Sequence, residues 1–375
     1  METVSIARVG DYREESIRAG MERLLLPLGG ISAFVRPGER VLLKPNLLAG
    51  KLPEKAVTTH PSVVREVIRL VREADAVPLL GDSPGVGGLR RVAERAGLLA
   101  VLEETGTELV EFAETDEAHG TGMFKRIPLA RPYLAADRVI NLPKLKTHEM
   151  MTITCGVKNL FGAVVGTGKA AWHLKAGADR DLFARLLVEI YLLRRPDLTI
   201  VDAVTAMEGD GPASGDPRHV GCLLAGSNAV AVDMVAADII GIPRILRYVE
   251  RAAERLGIEG TDPAQVQISG AEVSEVRVDG FRLPHISDVQ FGLPAFIKNR
   301  LRNHLTSRPA PIIEKCVLCG VCRDACPPHA IEISHGTLSI DYKRCIRCFC
   351  CRELCPHAAL TVREGMLLRL INRYK

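Results

Sequence analysis

The chain has 375 residues, 47% hydrophobic and 25% charged, the balance of a globular protein long enough for one large domain and an appended small one, and it excludes disorder as the main state. Its net charge of +4 is mild and aromatics make up only 4%, so the basic stripe with stacking rings that marks a nucleic-acid binder is missing, and no nucleic-acid partner is expected. No run reaches the roughly 18 apolar residues of a spanning helix. The N-terminal METVSIARVGDYREES has neither a basic start leading into an apolar run nor a small-residue cleavage site, so no transmembrane segment and a cytoplasmic location are expected.

Short apolar runs alternate with helical patterns through residues 1–283, which predicts an α/β domain with a mostly parallel sheet flanked by helices. Expected strands are VLLKPN (41–46), VPLLGDS (77–83), ELVEF (108–112), RVINLPKLK (138–146), LTIVDAV (198–204) and GCLLAGS (221–227). PSVVREVIRLVREA and DLFARLLVEIYLLRR show helical periodicity, the first with proline where a first turn tolerates it. Residues 284–311 break this rhythm: prolines bracket a basic amphipathic stretch, expected as a linker or docking helix. Residues 312–375 form the cysteine-rich end, expected as a small α+β module with a basic C-terminal tail.

Polar residues gather where the expected strands end, the edge at which open α/β sheets bind ligands. Lys44 and Asn46 end the first strand, Asp82 the second, Lys144, Lys146 and His148 the fourth, and Asp202 the fifth, ahead of the glycine-rich loop MEGDGPASGDP. NLPKLKTHEMMTITCGVKNLFG adds Lys158 and Asn159, and so many lysines near one strand end ask for an anion or acidic neighbours. Lys44, Asn46, Asp82, Lys144, Lys158, Asn159 and Asp202 are therefore expected to bind a substrate. Lys146 is expected to polarise it, and His148 to supply a proton, with His173 the weaker alternative. Cys155 reads either as a thiolate activated by these lysines or as core. Asp202, Glu208, Asp210 and Asp216 read either as an oxygen-rich metal site or as partners of the lysines. GVGGLR and AVVGTGKA each lack a residue that a dinucleotide or phosphate loop requires, so neither site is expected.

Nine of the eleven cysteines lie between residues 316 and 355, a pattern that suits metal binding in a reducing compartment. They form two runs, Cys316-x2-Cys319-x2-Cys322-x3-Cys326-Pro327 and Cys345-x2-Cys348-x2-Cys351-x3-Cys355-Pro356. In this bacterial ferredoxin spacing the fourth cysteine of each run serves the other run's cluster. Two 4Fe-4S clusters are expected, one on Cys316, Cys319, Cys322 and Cys355, the other on Cys345, Cys348, Cys351 and Cys326. Zinc would need only paired couples. Cys350 is out of register and reads as a small space-filler beside a cluster. Between the runs, AIEISHGTLSIDYKRC reads as a hairpin turning at His-Gly, so residues 312–362 resemble a two-cluster ferredoxin.

NLPKLKTH, GVKNLFG, VDAVTAMEGDGPASGDP and AVAVDMVAADIIGIP, in that order over residues 40–270, resemble the family known as domain of unknown function 362, which often carries a fused ferredoxin module. The resemblance implies an iron-sulfur-linked redox protein with an α/β domain. Asp233 matches the family pattern, whereas Asn228 stands near a position where the family tends to carry aspartate. Two readings of function follow. The first is an oxidoreductase that takes electrons from a low-potential partner protein and passes them through the clusters to a small anionic substrate. The second is a non-enzymatic electron-transfer subunit that docks on a larger redox complex.

Overall fold

The computed structural model describes residues 1–166, 168–177, 179–284 and 306–365. The stretch expected as a docking helix lies, apart from its ends, outside the described residues, as does the tail from residue 366.

In chain order the strands are β1 (Glu2–Arg8), β2 (Arg40–Pro45), β3 (Val77–Asp82), β4 (Glu108–Glu111), β5 (Thr115–His119), β6 (Arg126–Ala130), β7 (Arg138–Leu142), β8 (Lys144–His148), β9 (Thr152–Thr154), β10 (Leu198–Glu208), β11 (Asp216–Gly226) and β12 (Val266–Gly270). The main sheet runs β12-β1-β11-β10-β7-β2-β3-β4, with β8 joined to β10 and β9. Its centre, β10-β7-β2-β3-β4, is parallel, whereas β11 lies antiparallel to both β1 and β10. β5 and β6 form a separate hairpin. The parallel strands are buried on both faces, which is why they read as continuous apolar runs. On β2, Val41 and Leu43 enter one core with the helix Pro61–Glu73, while Leu42 enters the opposite core with the helix Arg180–Leu193.

The expected strand over residues 138–146 is two strands. Pro143 has no N–H to continue the ladder, and its carbonyl instead accepts from the Asp202 N–H at 2.9 Å. β7 therefore pairs with β2, while β8 shifts to pair with β10 at Asp202 and Met207. Asp202 accordingly lies inside the eleven-residue β10 rather than at its end. No helix among the described residues is long and apolar enough to cross a membrane.

The small module carries β13 (Arg308–Pro311), β14 (Ile331–Ser334), β15 (Thr337–Ile340) and β16 (Leu360–Arg363), paired β13-β16 and β14-β15. The β14-β15 turn falls at His335 and Gly336, both in the left-handed region that a two-residue hairpin turn requires.

Two ion pairs brace the C-terminal edge of the main sheet. Lys44 Nζ meets Asp82 Oδ1 at 2.8 Å, and Gly162 is needed there because a Cβ would collide with both groups. Lys144 Nζ meets Asp202 Oδ2 at 2.8 Å and donates to the Tyr12 hydroxyl at 2.7 Å, which in turn donates to Asp202 Oδ1. The His60 N–H donates to Asp202 Oδ2, and the Tyr12 ring stacks on His60 with centroids 3.6 Å apart. Burial lowers the pKa of both lysines and the nearby aspartates oppose it. Removing one partner of such a buried pair strands a charge in a low dielectric. Lys144→Met is expected to destabilise the chain by about 3–5 kcal/mol in urea denaturation, with Lys144→Met/Asp202→Leu recovering most of that loss. A single-variant loss under about 1 kcal/mol would place the pair with solvated surface bridges instead.

Candidate functional site

A cavity of about 420 Å³ lies between the C-terminal edge of the parallel strands and the cysteine module. Its α/β wall includes Asn46, Asp82, Lys146, His148, Lys158 and Asn159, which the sheet end brings together as the strand pattern predicts. Lys44, Lys144 and Asp202 do not line it. Their charged ends are consumed in the ion pairs already described, so these three expected substrate ligands are corrected to structural braces.

A one-way chain of hydrogen bonds orients the carboxamides. Lys146 Nζ donates to Asn46 Oδ1 at 2.7 Å, Asn46 Nδ2 to Asn159 Oδ1 at 2.8 Å, Asn159 Nδ2 to Asn141 Oδ1 at 2.8 Å, and Asn141 Nδ2 to the Gly156 carbonyl at 2.9 Å. Every amide orientation follows from the one before it, because a flipped amide would oppose two acceptors. Lys146 also donates to the Val57 carbonyl and has no carboxylate within ion-pair distance among the described residues. Burial, together with the charges of Lys158 and Lys144, pushes its pKa well below the ordinary lysine value.

Lys158 and Asn159 sit on the short helix Gly156–Asn159. The Asp233 carboxylate holds the start of this helix, accepting from Gly156 N–H at 2.5 Å and Val157 N–H at 3.1 Å. Burial pushes Asp233 up to about 7 against those bonds. Asn228 caps the helix Ala229–Ile239 by accepting from the Val230 N–H. Cys155 is buried beside Asp233; burial and that neighbouring carboxyl raise its pKa well above the ordinary thiol value, so it is core and not an activated thiolate. Lys158 Nζ lies over the Phe161 ring, 5.9 Å from its centroid, and makes no hydrogen bond or ion pair among the described residues.

His148 accepts at Nδ1 from the N–H groups of Met150 and Met151, so Nε2 carries the proton of the neutral ring and faces Glu353 Oε1 at 3.0 Å. Burial lowers its pKa to about 4. His173 stacks on Phe183 at 4.3 Å with Nδ1 unpartnered, and burial lowers it to about 3.

Two cavity residues escape sequence reading. Lys169 donates to the Ser83 carbonyl and, at 3.0 Å, to its hydroxyl; burial brings it down to about 8. Its signal was the glycine-flanked lysine of AVVGTGKA, set aside because it fails as a phosphate loop. Glu353 had none, since it lies within the cysteine motif. The acidic residues of the 208–216 loop pair with arginines instead of converging on a metal: Glu208 and Asp216 hold Arg282, and Asp210 holds Arg352.

The module supplies the other wall through its helix Cys350–Glu353. Arg352, 6% exposed, grips Glu149 at 2.9 Å and Asp210 at 2.7 Å, and Cys348 and Cys350 pack into the same apolar core as Val157 and Leu160. The two cysteine runs adopt matching backbones. Left-handed residues recur at Leu318 and Arg347, at Gly320 and Phe349, and at His329 and Ala358. Such residues turn successive N–H groups inward, as an anionic cluster requires. The Ala330 and Ala359 N–H groups donate to Cys326 Sγ and Cys355 Sγ at 3.2 and 3.3 Å. Cys316, Cys319, Cys322 and Cys355 line one small cavity, and Cys326, Cys345, Cys348 and Cys351 line another. Each set offers the four thiolates that a 4Fe-4S cluster needs. Cys350 takes the place of Val321 in the repeat and points into the large cavity.

Known proteins bear on this arrangement. Residues 311–356 match the 4Fe-4S dicluster domain, so the module is an iron-sulfur domain. A thylakoid-associated protein of Synechocystis sp. is 42% identical over 304 residues, covering 81% of this chain and 94% of that protein. Among solved structures, the lactate racemase apoprotein from Thermoanaerobacterium thermosaccharolyticum aligns at 11% identity and a TM-score of 0.42, over 64% of this chain and 56% of that one, a likeness that bears on neither fold nor function. Residues 41–238 match the family described as Domain of unknown function (DUF362), and the chain belongs to that family.

Proposed function

We propose that this protein is a cytoplasmic iron-sulfur oxidoreductase that transfers electrons to a small anionic molecule held in the cavity between the sheet end and the module. The observation that carries this reading is the cavity's double wall: Lys146 and Lys158 on one side, and on the other the helix Cys350–Glu353, which carries Cys351 and leads to Cys355. Cys316, Cys319, Cys322 and Cys355 would hold one cluster, and Cys326, Cys345, Cys348 and Cys351 the second; when bound, the clusters supply electrons singly. A pure electron-transfer subunit would leave this cavity without a use.

The cavity's side chains take distinct parts. Lys158, whose ammonium lies over the Phe161 ring and makes no hydrogen bond or ion pair among the described residues, binds the anion's carboxylate or phosphate. Lys146 donates from a fixed position, its other bonds held by Asn46 and Val57. Asn159 fixes Asn46, and Asp82 anchors the turn after β2 by accepting from the Leu47 N–H at 2.9 Å. His148 stays neutral at pH 7 and so serves as a hydrogen-bond donor through Nε2 rather than as an imidazolium acid. Lys169 is the better proton source near neutrality, because its lowered pKa lies close to the working pH.

Native mass spectrometry of protein purified without oxygen tests the reading. A retained organic anion is expected, and Lys158→Ala is expected to weaken its binding at least about tenfold, the worth of one charge-assisted hydrogen bond, with iron content unchanged. An empty cavity in every preparation would favour the electron-transfer subunit. If Lys169 gives the proton, turnover falls as pH rises through about 8, where the ammonium form is lost, and Lys169→Arg flattens this alkaline limb. A limb unmoved in Lys169→Arg would remove Lys169 from that role.

A further inference from the structure

The two cysteine sets differ in where they face. Cys319 is exposed and Cys316 half-buried, and next to them Val317 is 60% and Ile313 78% exposed. In the other set, Cys326, Cys345, Cys348 and Cys351 are each no more than 8% exposed, and Cys348 packs into the core of the α/β domain. One set is therefore an outer pair of hands and the other an inner one, bordered through Cys350 by the substrate cavity.

Beside the outer set opens a second cleft, of about 530 Å³. Lys51, Lys55, Arg91 and Arg95 wall it on the α/β side, and Cys355 and His357 on the module side. Lys51 Nζ donates to the Pro356 carbonyl at 2.9 Å and ties the walls together. Lys55, Arg91 and Arg95 are exposed and make no ion pair among the described residues. Glu353 is the one carboxylate in the lining, and it is turned to His148. Leu52, 61% exposed, adds an apolar contact to the same wall.

Resting on the cluster assignment above, we infer that this cleft docks an acidic one-electron carrier protein and is where electrons enter. A concave wall of unpaired cations steers a negatively charged partner and sets its orientation. Cys355 belongs both to the cleft and to the outer set, so a carrier seated there would lie against the residues that would hold the outer cluster. A 4Fe-4S cluster held by Cys316, Cys319, Cys322 and Cys355 would take one electron per encounter from the reduced carrier, with no proton or covalent bond changing hands. A second cluster, held by Cys326, Cys345, Cys348 and Cys351, would offer that electron a site next to the cavity. A bilayer is flat on this scale and meets a concave cleft only at its rim, which favours a protruding protein surface.

The test uses the full, cluster-loaded chain under anaerobic conditions with a small acidic 2Fe-2S ferredoxin as the probe. Isothermal titration at about 0.02 M and about 0.3 M salt spans strong and weak screening. Binding is expected to weaken at least about tenfold at the higher salt, and again in Lys55→Glu/Arg91→Glu/Arg95→Glu at low salt, with stopped-flow reduction of the clusters slowing in parallel. Iron content and the spectrum of the dithionite-reduced protein are expected to stay unchanged in the variant. With about eight irons per chain present, wild-type binding and rate in the variant would overturn the docking site alone. So would binding through these residues to phosphatidylcholine vesicles containing phosphatidylglycerol when the ferredoxin does not bind. An iron count far below about eight would overturn the cluster assignment and this proposal with it.

Discussion

The burial of lysine ammonium groups at one edge of a parallel sheet governs everything built on that edge. An ammonium in the interior persists only with a partner, and Lys44 and Lys144 have theirs in Asp82 and Asp202. The braces do more than neutralise charge. Asp82 shapes the turn that presents Asn46, and Asp202 ties β10 to Tyr12 and to the His60 N–H at the start of the helix Pro61–Glu73. With these two lysines satisfied, the cationic character left at the edge belongs to Lys146, Lys158 and Lys169, and all three border the cavity.

The module is held by the same economy of charge. Arg352 reaches two carboxylates of the α/β domain, and this contact seats the helix Cys350–Glu353 against the cavity. That helix lies between cysteines of different sets, so one short element closes the pocket and links it to both cysteine cavities. Cys350 is out of register because it is a wall residue: its counterpart in the repeat, Val321, lines the cysteine cavity of the first set, whereas Cys350 lines the cavity beside Lys146 and Lys158.

Much of the site was legible before any coordinates. Continuous apolar strands ending in Lys, Asn and Asp mark a parallel sheet's ligand edge, and Asn46, Lys146, His148, Lys158 and Asn159 do meet there. The errors have local causes. Lys144 and Lys146 stand two residues apart on β8, a spacing that regular strand geometry puts on one face, but the register with β10 shifts between them, and one meets the Tyr12–Asp202 brace while the other meets Asn46 at the cavity. Asp202 looked like a strand end because the apolar run stops there, but pairing with β11 carries β10 on to Glu208. Cys155 looked reactive among lysines, yet burial makes its charge costly.

By itself, the sequence determined the α/β class, the family and the iron-sulfur nature of the C-terminal module, because these rest on periodicities and spacings local to the chain. Only the tertiary structure decided which lysines are spent in ion pairs and which border the cavity. It also decided that Glu353 and Lys169 join the cavity and that one cysteine set faces outward and the other inward. Those outcomes depend on partners separated by up to hundreds of residues, such as His148 with Glu353 and Arg352 with Glu149, and on burial, which sets the cost of each charge.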